Sequence, residues 1–363
     1  MANKDNIKVC HVVSYRDPQY IRTRNLRAAI SHIQGVELFD ATNSRRGFLR
    51  YFETLWKMLR IRFRHNPDVY VLGFRGHEIF WAVRLIAIGK PLLFDEFMSP
   101  SDALLSEGKG GGPGRLVGAL IFPLEWLCLT LSARCLTDTI LHQQFIAERF
   151  AIAEERIDVV YVGAVEPQRE MAGDGGGADK PLSVLFYGTF LPLHGMDVLL
   201  RACKLVENQP IEFRIIGGKG KALARFEQVL SELNPGNVVH DTWVDFDELQ
   251  LELIPAADLC LGGPFGGTPQ ARRVITGKAF QFLAQSKATV IGRVDEPVAF
   301  VDRRNCLLVE QGSPESLAAA FEWAAANRNE LAAIGRNGRR LFDKQFSVGA
   351  LAAQIEPALR AVL

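Results

Sequence analysis

The residues best suited to meet a charged ligand lie in one short run, Arg273-Val274-Ile275-Thr276-Gly277-Lys278-Ala279-Phe280-Gln281. Two cations and an amide where a loop turns into a helix suit an anion, because helix-start N–H groups and basic side chains present positive charge together. Upstream, Gly188, Gly195 and Gly217 close apolar runs or open helices, and Thr189 and His194 stand among them. The loop 262–269 is rich in glycine, contains Thr268 and could offer backbone groups to a sugar. The first half holds a second set. His77 follows Gly73-Phe74-Arg75-Gly76, Asp95 ends the apolar run at 91–94, and Asp102 comes soon after. An imidazole and two carboxylates are candidates for acid–base work, with N-capping the structural alternative for Asp102. Arg16, Arg22, Arg24 and Arg75 are candidates for holding an anion or acceptor. No His/Cys/Asp/Glu spacing has the form of a metal site.

Such residues need a scaffold, and the pattern around them describes one. In the second half, apolar runs at 182–187, 211–216, 238–239, 258–261 and 287–292 alternate with helical periodicity near 196, 222–233, 246–254 and 316–326. In the first half, runs at 7–13, 36–41, 68–72, 91–95, 135–141 and 158–164 alternate with helices at 48–64, 116–132 and 142–150. Short apolar runs closed by glycine and followed by helices read as parallel strands of doubly wound sheets. Ligands of such sheets sit at the carboxyl ends of the strands, where Lys278 and His77 are both expected.

The stretch Val184-Leu185-Phe186-Tyr187-Gly188-Thr189-Phe190-Leu191-Pro192-Leu193-His194-Gly195-Met196-Asp197 resembles the opening of the donor domain in family 4 retaining glycosyltransferases of the GT-B fold. Later stations follow in the family's order: Phe213-Arg214-Ile215-Ile216-Gly217, Trp243-Val244, Ala256-Ala257-Asp258, Lys278-Ala279-Phe280-Gln281, Gly312-Ser313-Pro314-Glu315 and Gln345-Phe346-Ser347. The resemblance implies an α/β protein with two Rossmann-like domains facing a central crevice. Residues 1–167 would bind the acceptor, 168–181 would link, 182–345 would bind the donor, and 346–363 would return to the first domain as a helix. It also implies a nucleotide diphosphate sugar as donor, a hydroxyl acceptor, retention of configuration, and no metal or other cofactor.

In the family an Arg and a Lys clamp the diphosphate where this chain has Thr189 and His194. That task would pass to Arg273, Lys278 and the N–H groups near Gly188 and Gly195. Two glutamates eight residues apart are common in the family; Arg273 and Gln281 stand at those positions. An amide can still bond ribose hydroxyls, and the loop 262–269 would serve the sugar. No protein nucleophile is required if the leaving diphosphate accepts the acceptor's proton.

Along residues 48–64, Phe48, Tyr51, Phe52, Leu55, Trp56, Met58, Leu59 and Phe63 share half of a helical wheel, and from Arg45 to Arg64 there are seven basic residues and one acid. Two uses fit: the apolar half packs on the sheet, and the basic half faces lipid head groups. Residues 45–64 are thus a candidate peripheral membrane contact, suited to a lipid-linked acceptor in surface polysaccharide synthesis. Lys plus Arg at 42 against Asp plus Glu at 41 argues against nucleic acid as a partner. The start Met1-Ala2-Asn3-Lys4-Asp5 is unlike a signal peptide, and the longest apolar stretch, 116–136, is interrupted by Pro123, Glu125 and Arg134. Six scattered cysteines read as buried thiols, and the whole as a cytoplasmic protein, peripheral on the inner membrane face. A sugar-nucleotide 2-epimerase and a non-catalytic sugar-nucleotide or partner-binding module are the alternatives.

Overall fold

The structure is a computed structural model that describes residues 6–105, 111–165 and 180–363. The expected linker as far as residue 179, the expected loop 107–114 as far as Gly110, and Met1–Asp5 lie outside the described residues. The chain divides into two compact units, Met1–Val165 with Val348–Leu363, and Glu166–Ser347.

In the first unit β1 (Ile7–Val13), α1 (Ile21–His32), β2 (Val36–Thr42), α2 (Leu49–His65), β3 (Val69–Leu72), α3 (Phe80–Ile86), β4 (Leu92–Asp95), α4 (Pro100–Leu105), α5 (Gly111–Leu131), β5 (Arg134–Thr137), α6 (Ile140–Phe150) and β6 (Ile157–Val159) follow one another. The strands form a parallel sheet in the order β2-β1-β3-β4-β5-β6, with Val9 opposite Val69 across β1 and β3. Helices cover both faces, which is why the strands read as almost unbroken apolar runs. Cys10 and Val12 of β1 point into the core shared with α2, α3, α5 and α6, while Ile7 and Val9 point into the core under α1.

The second unit runs β7 (Leu182–Gly188), α7 (Met196–Leu205), β8 (Ile211–Gly217), α8 (Gly220–Leu233), β9 (Val238–Asp241), α9 (Phe246–Glu248), α10 (Ile254–Ala256), β10 (Leu259–Leu261), α11 (Gly277–Ala284), β11 (Ala288–Gly292), β12 (Leu307–Val309), α12 (Pro314–Ala326) and α13 (Arg328–Gln345). Its parallel sheet has the order β12-β11-β10-β7-β8-β9. The winding direction reverses between β7 and β10 here, and between β1 and β3 in the first unit. The last helix, α14 (Val348–Arg360), belongs to the first unit, where Leu351, Ile355 and Leu359 join Leu26 and Ile30 in one core. The side-chain oxygen of Gln354 also accepts the backbone N–H of Tyr161 at 3.0 Å.

Several expectations change. The strand-like segment 135–141 ends at Thr137, because Thr139 accepts the N–H of His142 at 3.0 Å and caps α6. Residues 111–114, expected in a loop, already belong to α5. The helix expected to be largely buried at 116–132 is not: only 28% of the stretch Gly114–Leu131 is buried, and that stretch is long and apolar enough to cross a membrane. Pro123 stays within the helix and Glu125 turns inward, so neither breaks its outer side.

On α2 the expected apolar half is split. Met58 is buried, with Tyr51 and Leu55 packed beside it, but Phe52, Trp56 and Phe63 are 60%, 56% and 80% exposed. The helix is turned by polar anchors: Thr54 donates its hydroxyl to Val13 O at 2.9 Å and Lys57 its ammonium to Thr42 O at 2.7 Å. All six cysteines are buried free thiols.

Candidate functional site

In the second unit the candidate site lies at the carboxyl ends of β7 and β10, where the winding reverses and a doubly wound sheet opens a place for a ligand. Lys278, in the first turn of α11, is 7% exposed, its ammonium lies 4.3 Å from the centre of the Phe186 ring, and it has no hydrogen-bond partner among the described residues. Removal from water lowers its pKa to about 7. His194 is also buried, with Nδ1 unpartnered, and its pKa is driven well down by burial first and by Lys278 second. The two side chains converge over Gly188. A Cβ there would lie 3.1 Å from His194 Cε1 and 3.4 Å from Lys278 Nζ.

The backbone around them is fitted closely. Gly217 at the end of β8 lies against Gly188, where a Cβ would come within 2.1 Å of Gly188 O, and its φ of 114° is one that glycine adopts without strain. Gly195, at the start of α7, packs against the Phe265–Gly266 peptide, and Gly266 donates its N–H to Leu193 O at 3.0 Å. The loop 262–269 is therefore held on the turn that carries His194. Thr276 occupies the N-cap position of α11 but donates its hydroxyl to Gly262 O, so no side chain caps that helix. Lys278 thus stands without a counter-charge at the positive end of α11.

The remaining candidates of this unit take other places. Gln281 accepts the Tyr187 hydroxyl through its side-chain oxygen. Thr268 accepts the N–H of Ala271 at 3.1 Å, which shapes the short helical turn Ala271–Arg273, and Arg273 ends that turn half-buried. Thr189 is exposed beyond the end of β7.

In the first unit the structure separates the candidates. Arg22 and Asp95 are buried and form one ion pair, with Nη2 2.7 Å from Oδ1, and Arg22 also donates to Tyr161 O at 3.1 Å and to Val160 O. The assignments of Asp95 to acid–base work and of Arg22 to an external anion are corrected on this ground: each neutralises the other inside the fold. Asp102 is buried in the first turn of α4, where Ser99 accepts the Asp102 N–H at 3.2 Å. Arg75 bonds Glu78 at 3.3 Å, Arg16 is exposed beside the Tyr15 ring, and Arg24 is half-buried on α1.

His77 is the acid–base candidate that stays at an accessible edge, with its side chain 15% exposed and Nε2 2.8 Å from Glu96 Oε2. Two residues not singled out above complete its surroundings. Glu96 and Glu125 are both buried, and Glu125 accepts the N–H of Ser101 at 3.0 Å. Burial pushes Glu96 well up and Glu125 up to about 7, and holds His77 down at about 4. Burial thus favours the uncharged form of all three groups. Their ligand atoms lie within 4.8 Å of one another, close enough to hold a cation. The sequence sign of Glu125 was a lone carboxylate within an apolar helix, which sequence reasoning took only as an interruption.

Residues 181–327 match the family model described as glycosyl transferases group 1. The match spans most of the second unit. The whole chain has the GT-B fold of solved glycosyltransferases. Sucrose-phosphate synthase from Thermosynechococcus elongatus superposes with a TM-score of 0.72 at 17% identity, over 98% of this chain and 99% of that one. Anabaena Alr3699/HepE in complex with UDP-glucose gives 0.69 at 13%, over 98% and 100%. The lipopolysaccharide outer core galactosyltransferase WaaB gives 0.64 at 13%, also over 98% and 100%. No curated protein matches the chain in sequence. In group 1 terms, Lys278 and His194 lie inside the matched domain, and the His77 cluster lies outside it.

Proposed function

We propose that the chain is a glycosyltransferase that moves a sugar from a nucleotide diphosphate sugar, held by the second unit, to a hydroxyl of a carbohydrate or lipid-linked acceptor held by the first. The observation that carries the reading is Lys278, a buried ammonium with no partner at the reversal of a group 1 domain. Burying a charge is costly unless it is paired, and a diphosphate supplies the pair. As the bond from the anomeric carbon to the diphosphate breaks, negative charge grows on the leaving oxygen, and Lys278 with the uncapped start of α11 is placed to stabilise it. Neutral His194 adds a hydrogen-bonding group without a second positive charge, and Gln281 offers an amide to the ribose.

The reading includes retention of configuration, with the proton of the acceptor hydroxyl passing to the leaving diphosphate, and charge stabilisation by Lys278 without a metal. It also includes membrane contact through residues 45–64 at the cytoplasmic face, for a role in surface polysaccharide synthesis. Among structures of the same fold, Alr3699/HepE is in complex with UDP or UDP-glucose and WaaB is a galactosyltransferase, which supports a nucleotide sugar donor. The 2-epimerase alternative loses one of its acids, since Asp95 is committed to Arg22.

Calorimetric titration with UDP, GDP, dTDP and ADP, with and without a divalent metal, tests the reading. Micromolar binding of one of them without metal, weakened in Lys278→Ala, is expected. Binding of none of them would leave the departures at Thr189 and His194 as those of a non-catalytic module.

A further inference from the structure

We infer that the first unit lies on an anionic bilayer through three neighbouring helices, with α5 as the part that enters the apolar layer and α2 as the part that meets the head groups. This extends the membrane contact proposed for residues 45–64. It stands on observations that involve neither donor nor catalysis.

The winding of the first sheet places α2, α3 and α5 on the same face, and all three send residues into one core: Met58, Phe80 with Val83, and Cys128 with Leu129. Their outer sides are apolar too. On α5, Leu116, Leu120, Leu124 and Leu131 are 68%, 65%, 52% and 43% exposed. Their spacing of four, four and seven residues keeps them on one side of the helix. From Leu116 to Leu131 the only charged residue is Glu125, which is buried. Trp81, Leu85 and Ile88 are exposed on and just after α3, and Phe52, Trp56 and Phe63 on α2. Soluble monomers rarely expose apolar surface on this scale without a partner for it.

The charge beside these residues selects the partner. Among the described residues Arg46, Arg60 and Arg64 are exposed and form no ion pair with a carboxylate. A pocket of about 240 Å³ beside α2 is lined by Lys57, Arg60, Arg64 and His65, with Asp40 and Ile61 completing it. A second copy of the chain on a twofold axis would set these cations against one another. A bilayer with phosphate head groups meets both requirements: apolar chains for α5, and anions for α2.

The test uses the full chain with vesicles of phosphatidylcholine alone or mixed with phosphatidylglycerol, read by flotation and by quenching of tryptophan fluorescence with brominated acyl chains. Three of the five tryptophans, Trp56, Trp81 and Trp126, are exposed on or beside these helices. The wild-type chain is expected to float with the mixed vesicles about tenfold better than with phosphatidylcholine at low salt, and to be quenched there. Leu120→Glu with Leu124→Glu should cut flotation about tenfold or more while leaving the melting temperature and nucleotide binding unchanged. Arg60→Glu with Arg64→Glu should remove the preference for phosphatidylglycerol. Three outcomes overturn the inference: a wild-type chain that neither floats nor is quenched, a Leu120/Leu124 variant that floats like wild type, or a wild-type dimer that this variant dissociates. A chain that transfers sugar yet ignores vesicles would sink this inference together with the membrane contact of residues 45–64, and would leave the sugar transfer standing.

Discussion

Each unit gathers charge at the carboxyl end of its sheet, and the two do so in opposite ways. In the second, Lys278 is buried with no hydrogen-bond partner among the described residues, beside a helix start that none of their side chains caps. In the first, Arg22 is matched by Asp95, and His77 bonds Glu96. Lys278 has no counter-charge among the described residues, whereas Arg22 has one built in. The contrast fits a charged donor on the second unit and a neutral hydroxyl on the first. It also shows that burial of a charged residue does not by itself mark a binding site: whether a partner is built in decides.

The contrast can be broken at its strongest point first. Asp95→Ala leaves Arg22 buried without a counter-charge and should lower stability by about 3–5 kcal/mol, read as the urea midpoint. A shift below about 1 kcal/mol would mean that the pair is not a structural one. Next comes Glu125, whose folded pKa of about 7 lies above its ordinary 4.5. A raised carboxyl pKa means that the folded state holds its proton more tightly. Its contribution is then complete below pH 4.5 and lost as pH climbs through 7. Glu125→Gln should flatten that part of the stability profile, by up to about 3 kcal/mol at pH 8. A profile as steep as that of wild type would remove Glu125 from the account.

Lys278→Ala should weaken nucleotide diphosphate binding by about 1–3 kcal/mol without lowering the melting temperature, since it removes an unpaired buried charge. The same lysine, lowered from 10.5 to about 7, must be protonated to meet an anion. Affinity in the wild type should therefore fall by up to about tenfold per pH unit above 7, and the Lys278→Ala variant should lack that slope. The smallest effect is expected at exposed Thr189, where alanine should change stability by no more than about 0.5 kcal/mol. A large loss of binding there would sharpen the donor site by adding a residue to it.

The fold was legible because parallel strands covered on both faces must be apolar throughout, and the runs at 7–13, 182–187 and 211–216 announce themselves. β12 is three residues long, too short for such a run to stand out. Lys278 was legible from its place at a helix start. Its burial over Phe186 was not, since Phe186 stands 92 positions earlier in the chain. The pairing of Arg22 with Asp95 spans 73 positions and no local pattern reports it. The facing of α2 was misread because a helical wheel weighs apolar residues only, whereas the hydroxyl of Thr54 and the ammonium of Lys57 fix its rotation.

The core under α1 needs Leu351, Ile355 and Leu359 of α14, so the unit that is translated first is completed last. On the ribosome, the second unit has all of its residues before the first unit has its final helix. Until α14 arrives, Leu26 and Ile30 wait with part of their apolar surface uncovered. A nascent chain stalled just after Ser347 should accordingly protect its second unit from protease while its first unit is still being cut.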